Sequence, residues 1–532
     1  MTSRRDFFKF GLAASAAAAI PPSLRAQTVS PTGTARIVTS VPLSAYDPVF
    51  STSDITQDHG FAIYDQLFGI DSKLRPQPQM INRWEVSQDR MTYTFELRDG
   101  LGWHDGTAVT SADCIASIRR WAQVAAGGIL IMARTKDMVR KDDKIFSIIL
   151  KERAPLIDLF ASPAGYPLFI MREKDASRPA TEQVTANIGS GPFRFNEALA
   201  RPGSSFTYDR SKDYVPRNEP ADLFAGGKIV KVERVVWATV PDQQTAISAL
   251  QAGEVDLVRR PSIDLLPVLE ADLNVELQTL NKTGYDWYLR LNHLQKPFNN
   301  VKARQALLQL IDQEAFMRAA VGDPRYFGTV TSIFGSGTLY SNEGNTSWYR
   351  KGGNPEKAKQ LFQEAGYAGE KVVVLQPTNL REYSNIAQLL AQSLQRIGIN
   401  AELAPSDYAG VVKRRANKGP VGDGGWSVFI VFQSDFNFGD PLATPDLSAA
   451  GDKAWVGWPH NEEYEALRAK WAEVETVQQR QELARQMQKI WWDFVGFVFL
   501  GRSTQPVARR KSLTGLVQAP MNYLPMWSMQ KS

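Results

Sequence analysis

Between residues 354 and 403 the chain alternates helical and strand patterns in a way that a sheet flanked by helices satisfies and an all-helical or all-strand fold does not. In NPEKAKQLFQEAG (354–366), Asn354 stands at the N-cap and Pro355 at the first helical position. Ala358, Leu361, Phe362 and Ala365 form one apolar stripe there, and Gly366 ends the helix. KVVVLQP (371–377) follows as a short buried strand. SNIAQLLAQSLQRIG (384–398) then places Ile386, Leu389, Leu390, Leu394 and Ile397 on one helical face, before the strand-like INAEL (399–403). The stretch 241–258 repeats the pattern, with a helix closed at Gly253 and then a strand. The first third carries hairpin signals: Tyr93, Phe95 and Leu97 alternate ahead of Asp-Gly turns at 99–100 and 105–106. Thr110 and Asp113 make a capping box for a helix bearing Ile115, Ile118 and Trp121. The fold class expected is α/β with mixed sheets, in two or three domains, because about 500 residues exceed one compact core.

The first 26 residues have the layout of an export signal. Arg4 and Arg5 precede an alanine-rich stretch from Phe10 to Ile20, and Ser23-Leu24-Arg25-Ala26 offers a small-residue cleavage site. Ser3, Arg4, Arg5, Phe7 and Lys9 meet the twin-arginine pattern, so the expected location is the periplasm. The apolar stretch falls short of the roughly 20 residues that span a bilayer. The longest later apolar run is FVGFVFLG (494–501).

Net charge is +5, and residues 1–26 hold four basic and one acidic side chain, which leaves the remainder near neutral. That balance gives no ground for binding nucleic acid or an anionic membrane. One cysteine, Cys114, excludes an internal disulfide. His59, His104, His293 and His460 are far apart and show no metal-ligand spacing, so no metal or cofactor is expected. The sequence contains no G-x-S-x-G elbow, Walker loop, H-E-x-x-H helix or G-x-G-x-x-G turn. His104-Asp105 sits on a tight turn, where adjacent side chains point apart, and reads as turn chemistry rather than a catalytic pair.

Four segments carry a resemblance: 64–121, GSGPFRF (189–195), VPDQQTAISALQAGEVDLV (240–258) and YLRLNHLQKPFNNVKARQALLQLID (288–312). In this order and spacing the chain resembles the periplasmic solute-binding proteins of peptide-type ABC importers, extracytoplasmic family 5, with dipeptide, oligopeptide and nickel-binding members. The resemblance implies a two-lobed fold. Lobe I would comprise 27–287 and 496–532, with a subdomain at about 60–190, and lobe II would comprise 288–495. Solute would bind in the cleft and the closed form would be presented to an inner-membrane ABC permease. The protein would be a monomer without catalysis. Small peptides or peptide-like solutes are the ligands implied first. The same fold binding a metal chelate, haem, opine or oligosaccharide is the alternative, and an exported hydrolase a remote one.

The stretch GGWSVFIVFQSDFNFGDP (424–441) concentrates the site expectations. Residues 427–431 read as a core strand and its exit as cleft. In such proteins a tryptophan followed three residues later by an aspartate meets a peptide's amino group. Phe432 and Asp435 have that spacing here, with phenylalanine in place of tryptophan. A shifted alignment makes Asp440 the anchor instead. Trp426 belongs to the same stretch. By position within the family, Thr52, Ser53 and Asp54, and also Tyr285, Trp287 and Tyr288, are further cleft candidates. Arg414-Arg415 reads as a solvated helix face, and Trp491 and Trp492 as core of a late helix.

Overall fold

The computed structural model describes residues 33–474 and 476–532; the export-signal reading of residues 1–26 lies outside the described residues. The expected helices form where their caps stand. Asn354 Oδ1 accepts from Lys357 N at 3.2 Å and opens Pro355–Glu364. Asp242 opens Gln243–Gln251, and the Thr110–Asp113 capping box opens Ser111–Trp121. The helix expected to begin at 384 begins earlier, as Arg381–Arg396.

Two mixed sheets organise the chain. The seven-stranded sheet runs Val275–Gln278, Val507–Arg510, Leu257–Val258, Thr34–Thr39, Arg234–Thr239, Ser205–Arg210, Phe193–Phe195. The six-stranded sheet runs Phe327–Gly328, Val498–Ser503, Tyr285–Leu291, Val428–Ser434, Val372–Pro377, Ala401–Ser406. Each has its own hydrophobic core, so the molecule is two-lobed. A four-stranded antiparallel sheet between residues 81 and 150 extends the first lobe and shares its core. The six-stranded sheet takes in Val498–Ser503, which the boundary expected at 495/496 put in the first lobe. Its ladder with Tyr285–Leu291 is the reason.

The chain passes between the sheets twice, through 279–284 and 504–506. These passages are neighbours, because Gln278 is in register with Val507 and Tyr285 with Ser503. Gly284 is required here: its φ is +79°, and a Cβ would stand 2.5 Å from the Ser503 carbonyl oxygen.

Topology decides which residues the sheets deliver to the space between them. In the first sheet, Thr34–Thr39 and Leu257–Val258 are parallel, and their carboxyl ends release Thr39–Val41 and Arg259–Arg260 side by side. In the second sheet the parallel strands Val372–Pro377 and Ala401–Ser406 lead into helices bearing Tyr383 and Tyr408. Open α/β sheets bind ligands beyond such carboxyl ends.

Candidate functional site

On the first lobe the helix Asp54–Ile63 places Asp54 and Asp58 one turn apart on one face, against the consecutive arginines 260 and 259. Asp58 is buried, pairs with Arg259 at 2.5 Å and accepts from the Leu524 amide at 2.6 Å. Burial pushes its carboxyl up to about 6, against the pull of Arg259. Asp54 accepts from Arg260 and from the Asn522 side chain. The Arg260 and Asp54 side chains keep 38% and 35% of their exposure, so this second pair is open to solutes where the first is sealed. A cavity of about 90 Å³ is lined by Thr39, Ser53, Asp54, Arg259 and Arg260.

The second lobe contributes an aromatic wall. Trp287 and Phe432 are directly opposite in adjacent strands, and Tyr285 is Phe432's diagonal neighbour. Tyr285 stacks on Phe432 with centroids 4.6 Å apart; Trp287 meets Phe432 at 4.6 Å and Tyr383 at 5.0 Å. Trp287 Nε1 donates to Ser503 Oγ at 2.8 Å, which fixes the indole. Burial raises the Tyr285 phenol above its ordinary value; the Arg260 charge opposes this and the Asp54 charge adds to it. Wall and charged pair are therefore within electrostatic reach of each other across the lobes. Ion pairs join the lobes farther out, Asp264–Arg381 at 2.7 Å, Glu270–Arg325 at 2.8 Å and Asp158–Arg480 at 3.2 Å.

Of the residues singled out from the sequence, Asp54, Tyr285, Trp287 and Phe432 converge here. Thr52 and Ser53 are exposed beside Asp54, and Ser53 lines the cavity. Of the other four, Trp426, Tyr288 and Asp435 are elsewhere, which corrects their expected place in the cleft. Trp426 is wholly buried against Phe429 and Trp458, with its indole bonded to the Arg415 carbonyl. Tyr288 points to the opposite face of its strand, as period-two alternation demands, and its hydroxyl donates to Asp446. Asp435 is fully buried and saturated by the protein itself. Its carboxylate accepts from the amides of Ser336 (2.7 Å) and Gly337 (3.0 Å) and pairs with Arg502. Asp440 is half-buried, accepts from Leu442 N at 2.8 Å, and has its carboxyl raised by burial near Arg480 and Asp158.

The remaining side chains are structural. Residues 427–431 are buried, as are Trp491 and Trp492. Arg414 holds the carbonyls of Gly424 and Gly425, and Arg415 lies over the Trp455 ring, so neither is simply a solvated face. His104 is bonded to backbone at Gly189 and Gly191, and Asp105 turns away to Arg172. Burial pushes His104 down to about 4 and His59 to about 3. Among the described residues no His/Cys/Asp/Glu cluster could hold a metal, and no helix is long and apolar enough to cross a membrane. Arg260, Tyr383 and Asn522 were not singled out from the sequence; the one available signal was the arginine doublet leaving a buried strand.

The model of the bacterial extracellular solute-binding proteins, family 5 (middle region), matches residues 75–447. The chain is 56% identical, over 100% of its length and 99% of the relative's, to a probable peptide ABC transporter periplasmic-binding protein of Sinorhizobium fredii. Its fold is similar to that of the periplasmic binding protein AgaA of A. tumefacien R10, solved with agropinic acid (TM-score 0.76, 21% identity, covering 94% of this chain and 99% of that one). The oligopeptide-binding protein AppA of Bacillus subtilis, solved with a nonapeptide, is similar at a TM-score of 0.75 and 17% identity, covering 94% and 99% of the two chains.

Proposed function

The chain belongs to the bacterial extracellular solute-binding proteins of family 5, and on that premise we propose that it captures a small peptide or peptide-like solute between its lobes and hands it to the permease of an ABC importer. The observation that carries this reading is the aromatic wall of Tyr285, Trp287 and Phe432 standing across the lobes from the half-exposed Asp54–Arg260 pair. Rigid rings supply contact area to many side chains, while a charged pair fixes the polar ends. A solute touching both faces favours closure by the contacts it gains there, and only that difference drives the motion.

The lobes of this reading are 33–278 with 507–532, and 285–503, hinged at 279–284 and 504–506. The protein acts as a monomer, without catalysis, after export by the twin-arginine route read from Ser3–Lys9. In support, His59, His104 and His293 are held neutral by burial and Cys114 is buried with its thiol raised, so none is poised as nucleophile or base.

A small non-peptide zwitterion is the second reading, favoured by the modest cavity of about 90 Å³ at the charged pair. Native mass spectrometry of protein purified from its own periplasm, with identification of what denaturation releases, separates the two. Released short peptides support the first reading; one recurring non-peptide mass replaces it with the second.

A further inference from the structure

Two neighbouring acid–arginine pairs lie on one face of the helix Asp54–Ile63, and their surroundings differ. Asp58 and Arg259 are 2% and 7% exposed and so shut off from solutes: they pair at 2.5 Å, and Arg259 also donates to the Asn522 carbonyl and lies over Trp237. Asp54 and Arg260 remain accessible and are under-used. Of the five N–H donors of Arg260, the one bond made among the described residues runs from Nη2 to Asp54 Oδ2. Arg260 Nε is buried without a partner, and the bond from Asn522 falls on the same Asp54 oxygen, Oδ2. Both side chains line the cavity that begins at the carboxyl ends of the parallel strands.

We propose that Asp54 and Arg260 are the recognition pair for a zwitterionic ligand, Arg260 receiving its carboxylate and Asp54 its ammonium group. The inference rests on the solute-binding reading above and names the ligand chemistry that this site takes. The planar guanidinium has donors free to grip a carboxylate through two parallel bonds. Charge balance points the same way. Asp54 and Arg260 sum to zero, and a ligand bearing one charge of each sign keeps the closed cleft neutral, whereas a singly charged ligand leaves one group unpaired beside the aromatic wall.

The test uses the full chain and alanine peptides of two to five residues, each free-ended, C-amidated or N-acetylated, with affinities measured by titration calorimetry. On the wild type, amidation and acetylation should each weaken binding about tenfold or more. In Arg260→Gln the amidation ratio should fall toward one while the acetylation ratio survives; in Asp54→Asn the reverse should hold. Each ratio is taken within one variant, so a general loss of affinity cancels, and either variant tests the pair if the other does not fold. Wild-type ratios in both variants would overturn this assignment and leave peptide binding standing. Failure of every free-ended peptide to bind the wild type would overturn the peptide reading itself, and this assignment with it.

Discussion

Asp435 is held by Arg502 where the strands that flank the lobe crossing end, and the same guanidinium donates to Asp286 at 2.8 Å. Burial, with Asp435 nearby, drives the Asp286 carboxyl well above its ordinary value. Asp435→Ala removes half of this arrangement and frees the turn amides of Ser336 and Gly337. The expected result is a loss of about 3 kcal/mol or more of stability, as for other buried pairs deprived of one partner. Chemical denaturation measures it. Unchanged stability with selective loss of affinity for free amines would return Asp435 to the role of ligand anchor.

Phe432 and Trp426, six residues apart in one aromatic stretch, should respond oppositely to truncation. Trp426→Ala opens a cavity in the second core and should cost roughly 3–5 kcal/mol, while the folded fraction keeps its ligand affinity. Phe432→Ala strips the ring that Tyr285 and Trp287 pack on, and should weaken ligand binding about tenfold or more with the smaller stability change. Calorimetric titration beside thermal unfolding decides; equal effects in both variants would count against the wall.

The pairs Asp264–Arg381, Glu270–Arg325 and Asp158–Arg480 span the lobes at separate places. Replacing all three arginines by alanine should enlarge the radius of gyration of the ligand-free protein in small-angle scattering. High salt should produce part of the same change in the wild type, because screening weakens exposed pairs first. Identical scattering for variant and wild type would deny these pairs any part in closure.

Asp58 and His59 are consecutive and both buried, and burial favours the uncharged form of each. Asp58 rises from 3.8 to about 6, so the folded chain holds that proton more tightly, and the contribution to stability is lost as pH climbs between those values. His59 falls from 6.5 to about 3, so its contribution is complete above pH 6.5 and lost on acidification. Relative to the wild type, Asp58→Asn should gain up to about 3 kcal/mol between pH 4 and 6. His59→Gln should instead gain as pH drops below 6.5. Urea unfolding across this range reads both slopes, and parallel profiles for all three proteins would refute them.

Elements with chemical punctuation were legible in the sequence. Asn354-Pro355 and Gly366 bounded a helix, and the Thr110–Asp113 box opened another. What a side chain faces was less so. Trp287 and Tyr288 looked equivalent as neighbours, and only the strand register sends one to the wall and the other to Asp446. Asp435 looked free because its partner Arg502 is 67 positions away. Arg260 gained significance only when folding brought it to Asp54, 206 positions distant. Long-range pairings leave no local periodicity from which to read them.

The strand Tyr285–Leu291 is buried along its whole length, yet its two faces answer to different demands. Tyr285 and Trp287 pack on Phe432 in the aromatic wall, while Tyr288 and Arg290 are tied to Asp446 and to the carbonyls of Trp455 and Val456. Substitutions at alternate positions can therefore drift independently. If the proposed wall meets cargo, a lineage built on this strand can change its diet through one row of side chains while the other row preserves the scaffold, so cargo preference and architecture are free to diverge at different speeds.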